Sequence, residues 1–83
     1  MSEQATLGRV IRRLRHDRGL SMASLASKAG VSPKHLNLIE LGHGNPTLMT
    51  LRRLRLALGV TLSEIVVPAE DEAARHPPTD GEG

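Results

Sequence analysis

Four glycines, each followed within two to five residues by a hydroxyl side chain, divide the chain into segments: Gly19 and Ser21, Gly30 and Ser32, Gly42 and Thr47, Gly59 and Thr61. Glycine after an apolar-periodic run is a helix stop, and Ser or Thr before one is a helix start. The punctuation therefore predicts short helices joined by tight turns and leaves no room for a sheet. The apolar spacing between the marks agrees. Leu7, Val10, Ile11 and Leu14 follow i, i+3, i+4, i+7, with Thr6 as the expected N-cap. Leu25, Ala26 and Ala29 give the inward positions of a second helix, and Leu36 and Ile39 those of a third. Pro33 stands at the first position of that third helix, where its missing N–H costs nothing.

Gly42-His43-Gly44-Asn45-Pro46 contains only turn formers and reads as a loop. A fourth helix follows with Leu48, Leu51, Leu54 and Leu58 inward. Thr61-Leu62-Ser63-Glu64 has the form of a capping box and opens a short fifth helix carrying Leu62, Ile65 and Val66. Pro68 is expected to end it. The expected architecture is all-α, five helices on an aliphatic core, over residues 1–67. Residues 68–83 form an acidic C-terminal tail with almost no apolar content, expected to be disordered.

Charge follows the same division. The net charge of +2 hides ten basic and four acidic side chains in residues 1–67, against one basic and five acidic in residues 68–83. A basic body suggests a polyanionic partner. Other partners are harder to serve. Without Phe, Tyr or Trp there is no base-stacking platform of the kind single-strand and RNA binders use. Without Cys there is neither a disulfide framework nor a thiolate metal site, and the chain reads as cytosolic. The four His, at 16, 35, 43 and 76, match no short metal motif. No signal peptide or apolar run long enough to span a bilayer is visible. No nucleophile–base pair or phosphate-cradling glycine loop points to an enzyme, and no cofactor or small-molecule ligand is expected.

The segment from Met22 to Leu41 has the spacing of a helix-turn-helix. Ala26 is small where two helices must cross closely. Gly30 supplies a left-handed residue that lets a short turn join them at a wide angle. Val31, Leu36 and Ile39 seat the second helix of the pair, leaving Lys34, His35, Asn37 and Leu38 outward. Any αα corner needs such features, so this pattern alone leaves DNA binding and plain packing equally open.

More of the sequence carries a wider likeness. Ile11-Arg12-Arg13-Leu14-Arg15, Gly19-Leu20-Ser21, Leu25-Ala26, Ala29-Gly30-Val31-Ser32, Ile39-Glu40, Gly42, Asn45-Pro46-Thr47, Leu51 and Ala57-Leu58-Gly59-Val60 together resemble the phage-repressor/Cro-like (lambda-repressor-like, XRE-type) helix-turn-helix DNA-binding family. The likeness runs from residue 7 to about residue 66. It implies a five-helix lambda-repressor-like domain that binds double-stranded DNA sequence-specifically, usually as a homodimer on a two-fold operator, and regulates transcription.

The resemblance also assigns roles. Arg15 and Glu40 fall at the edges of buried faces, where a charge needs a partner, and the family pairs residues at these places in a structural salt bridge. Ser21, Met22, Ser32, His35, His43, Gly44 and Asn45 become phosphate-contact candidates. Pro33, Lys34, Asn37 and Leu38 occupy the base-contact positions: Lys34 suits guanine, Asn37 adenine and Leu38 a thymine methyl. Leu62, Ile65 and Val66 are the expected dimer interface. Some positions depart from the family pattern. Met22 stands where Gln is frequent, Pro33 offers no polar group to a base, Leu38 and Leu41 replace polar positions, and Arg55 replaces a small buried residue. An alternative reading follows from the apolar Leu38/Leu41 face: a protein-interaction module, such as an antitoxin-like or co-regulator chain.

Overall fold

In a computed structural model that describes residues 3–75, the chain forms five helices in the order α1 (Glu3–Asp17), α2 (Met22–Ala29), α3 (Pro33–Glu40), α4 (Leu48–Leu58) and α5 (Leu62–Arg75), with no strand among the described residues. Ser21, Ser32 and Thr47 cap α2, α3 and α4, each side-chain oxygen accepting the backbone N–H three residues on. At Thr61 the capping box is complete: Glu64 N donates to Thr61 Oγ1 at 3.1 Å, and Thr61 N donates back to Glu64 Oε1 at 2.8 Å.

The core is aliphatic. Ile11, Leu25, Leu36, Leu54 and Ile65, one from each helix, are all fully buried. Burial of side chains this size stabilises by roughly 1.5–3 kcal/mol each, and in a chain without aromatics these five anchor the packing. α1 is the spine, with α3 against one side of it and α5 against another, while α2 packs on both α3 and α4.

Three local expectations are corrected. Thr6 does not cap α1, which begins at Glu3. Glu3-Gln4-Ala5 are good helix formers, and Glu3 suits the positive end of the helix dipole. Thr6 is instead buried, its hydroxyl shared between Glu3 O and Ala69 O, each at 3.0 Å. Pro68 does not end α5, which continues to Arg75. The proline removes one N–H, whose acceptor would be the carbonyl of exposed Glu64, where water can serve it. Beyond it, Ala69 is buried against α1 and holds the helix on. Residues 68–75 thus belong to the fold, and the rest of the expected tail, 76–83, lies outside the described residues. Leu48 is not inward but exposed. It lies about 120° around α4 from Leu54, too far for one helix face to bury both.

Gly8 sits where α1 meets the end of α3. A Cβ there would fall 2.3 Å from Ile39 O and 2.6 Å from Glu40 O. Only glycine lets the two backbones approach so closely, and that approach fixes where the last turn of α3 lies.

Candidate nucleic-acid interface

α2 and α3 are joined by a three-residue turn in which Gly30 takes φ 71°. Val31 N returns to Ala26 O at 3.0 Å and Gly30 N to Ser27 O at 3.3 Å, closing the end of α2. Ser32 then caps α3 by accepting His35 N at 3.0 Å.

Behind α3, Arg15 and Glu40 meet in a bidentate pair. Arg15 Nε donates to Glu40 Oε2 at 2.8 Å and Nη2 to Oε1 at 3.0 Å, while Nη1 donates to Leu20 O at 3.0 Å. One guanidinium therefore ties α1, the connection leading into α2, and the last residue of α3. Its side chain is 10% exposed and that of Glu40 is 3% exposed. The hydrogen bonds to Glu40 raise the Arg15 pKa against the opposing effect of burial, with the charge of Glu40 adding to the rise. Glu40 is thereby occupied as a structural anion. A second arginine, Arg18, reaches from the end of α1 to the carbonyl of Leu58 and closes the end of α4.

With α3 held from behind, its other side is open. Pro33, Lys34, Asn37 and Leu38 are exposed and His35 is half-buried. The two helix starts differ in what they offer. At α2, Ser24 N is taken by Ser21 and Leu25 N by the Ser21 carbonyl, leaving the amides of Met22 and Ala23 free. At α3, Pro33 has no N–H and Ser32 takes His35 N, leaving the Lys34 amide. The start of α2 is therefore the better anion site of the two. Met22 presents only its backbone there, because its side chain packs on the core.

Past α3 the chain folds back over the helix end. His43 N and Gly44 N both donate to Leu38 O at 2.9 Å. Gly44 is buried with no space for a Cβ, which would lie 2.9 Å from Ile39 N. This corrects its placing among phosphate contacts: its amide is already bonded inside the protein. His43 and Asn45 remain exposed beside it. Ile65, expected at a dimer interface, is fully buried in its own core, whereas Leu62 and Val66 are half-buried on the surface of α5. Burying Ile65 fills the centre of this bundle and leaves nothing for a partner to touch.

Sequence reasoning missed Gly8 and Arg18. A glycine inside an otherwise periodic helical run was the available signal for a close backbone approach at residue 8. Arg18 had no such signal, since it depends on two helix ends meeting 40 residues apart in sequence.

A family model described as Helix-turn-helix matches residues 11–65. The chain belongs to the helix-turn-helix family. Its likeness to the Cro/C1-type regulators extends through all five helices, and membership places it among DNA-binding transcriptional regulators rather than enzymes. The HTH-type transcriptional regulator y4dJ of Sinorhizobium fredii is 35% identical over 71 residues, covering 86% of this chain and 92% of that protein. The immunity repressor protein of Bacillus phage phi105 is 41% identical over 61 residues, 74% of this chain but 42% of the repressor. Among solved structures, the clp gene regulator ClgR of Corynebacterium glutamicum superposes with a TM-score of 0.86 at 25% identity, covering 98% of this chain and 86% of that one. The restriction-modification controller protein C.AhdI of Aeromonas hydrophila gives 0.76 at 28% identity, covering 78% of this chain and 98% of the controller. No helix among the described residues is long and apolar enough to cross a membrane.

Proposed function

We propose that the chain acts in the cytoplasm and binds a two-fold DNA operator as a homodimer, with α3 of each copy in the major groove. The observation that carries this reading is the two-sidedness of α3. Its last residue is locked from behind by a buried bidentate ion pair, while its first turns present exposed Pro33, Lys34, Asn37 and Leu38. A helix that reads base edges needs a fixed angle and an uncovered front. Lys34 donates to guanine or to a phosphate, Asn37 pairs with adenine through both its amide groups, and Leu38 meets a thymine methyl. The free amides at the start of α2, with Ser21, take one backbone phosphate. His43 and Asn45 grip the strand from the other end of α3, and Ser32 and His35 flank the groove.

Exposed Leu41 favours the second reading, in which the Leu38/Leu41 face binds a protein. Binding to a panel of duplexes at low and at physiological salt separates the two. The DNA reading predicts that a few sequences are retained at physiological salt. Asn37→Ala should lose about 1–3 kcal/mol of discrimination at one base pair. Lys34→Ala should lower the salt slope by about one if the lysine meets a phosphate. Indifference to sequence would overturn the DNA reading and leave the protein-binding one.

A further inference from the structure

Leu62, Val66 and Glu70 succeed one another by four residues along α5 and so share one face of it. At the start of that face, Leu62 borders a groove with Thr61 and with Arg52 and Arg55 of α4. Farther along, Val66, Ala69 and Glu70 line a second groove of about 180 Å³ with Leu51 of α4 and with Glu3 and Leu7 of α1. The surface is cationic at one end, apolar through its middle and anionic at the other, about 12 Å away at the helix rise of 1.5 Å per residue. Leu48, 61% exposed, stands one turn ahead of Leu51 and Arg52 on α4 and adds to the apolar part.

Such a surface is complementary to itself when turned end for end. In a two-fold contact every pairing occurs twice, so a positive end and a negative end on one face meet their opposites together. The exposed apolar residues elsewhere lack this property. Leu38 and Leu41 lie on the DNA-facing helix and its end, and Met49 and Leu56 are flanked on α4 by Arg52 and Arg53 with no acidic side chain on the same helix.

We propose that a second copy of this chain docks on this α4–α5 face across a two-fold axis near Val66, with Arg52 and Arg55 of one protomer against the partner's Glu70 and Glu3. Val66 meets its own copy at the centre and Leu62 packs toward the partner's Glu70 end. The proposal rests on the two-fold reading of DNA binding and gives that reading its contact surface. Charge pairs at both ends set the orientation and suppress the parallel arrangement.

The test uses two variants of the full chain, Arg52→Glu/Arg55→Glu and Glu3→Lys/Glu70→Lys. Each alone sets like charges against each other at both ends and should weaken self-association by roughly tenfold or more in sedimentation equilibrium. Mixed one to one, they restore opposite charges at both ends and should form a heterodimer. A wild-type chain that is dimeric, with variants that associate as well as it does, overturns this surface while sparing the two-fold reading. A wild-type chain that stays monomeric, on and off DNA, overturns both. Should either variant fail to fold, Val66→Cys decides, because the chain has no other cysteine. It should form a disulfide with its own copy under mild oxidation, whereas Arg13→Cys on α1 should not; equal cross-linking of the two overturns the axis position.

Discussion

α3 and α5 both lie against α1, yet they are held there by different means. α3 has eight residues and is fixed by directional contacts: the backbone approach at Gly8 and the bidentate Arg15–Glu40 pair. α5 has fourteen residues and is held by apolar burial of Ile65 and Ala69, with one hydroxyl link from Thr6. A bidentate ion pair tolerates little rotation, whereas apolar burial tolerates a good deal. The helix that must be aimed at a groove has the rigid attachment. The helix that needs only to present a face has the looser one.

The comparison can be broken from the α3 side first. Arg15→Ala would leave Glu40 buried without a counter-ion and should destabilise by about 3–5 kcal/mol, seen as a large drop in the urea midpoint. An unchanged midpoint would mean that the pair does not hold α3. Gly8→Ala places a Cβ inside contact distance of two carbonyls that cannot move independently of α3. Overpacking of that kind should cost about 1–3 kcal/mol, and DNA affinity should fall along with stability as the helix is displaced. On the α5 side, Thr6→Val removes the hydroxyl link but keeps the shape, and about 1 kcal/mol should be lost with DNA affinity intact. If Thr6→Val proved costlier than Gly8→Ala, the contrast between the two attachments would be inverted.

The smallest effect concerns the start of α5. The hydrogen bonds from the Thr61 backbone and hydroxyl hold the Glu64 carboxyl below its ordinary pKa of 4.5. A lowered folded-state pKa stabilises above the unfolded value, and that stability is lost as pH falls through the folded value. Wild type should therefore melt slightly above Glu64→Gln at neutral pH, and the gap should close by about pH 3. A gap that widened in acid would contradict the capping geometry.

What could be read in advance followed the range of the physics involved. Caps at Ser21, Ser32, Thr47 and Thr61 act within four residues, so composition and spacing sufficed for them. The Arg15–Glu40 pairing spans 25 residues and became legible through family resemblance, with half-buried charge as the physical reason. Pro68 misled because its local cost was read without the distant gain from burying Ala69 on α1. Thr6 misled likewise: its partner at Ala69 lies 63 residues away. In the candidate site, the outward positions of α3 were readable from helical period alone. The burial of Gly44 and Ile65 was not, since each depends on which neighbouring residue fills the adjacent space.

Selection of bound sequences from a random duplex pool tests the central claim most directly. Two inverted half-sites should be enriched with centres about 34 Å apart, one turn of DNA, and Asn37→Ala should lose information at one position in each. Enrichment of nothing, or of a single unsymmetrical site, would contradict a pair of aimed α3 helices reading a two-fold operator.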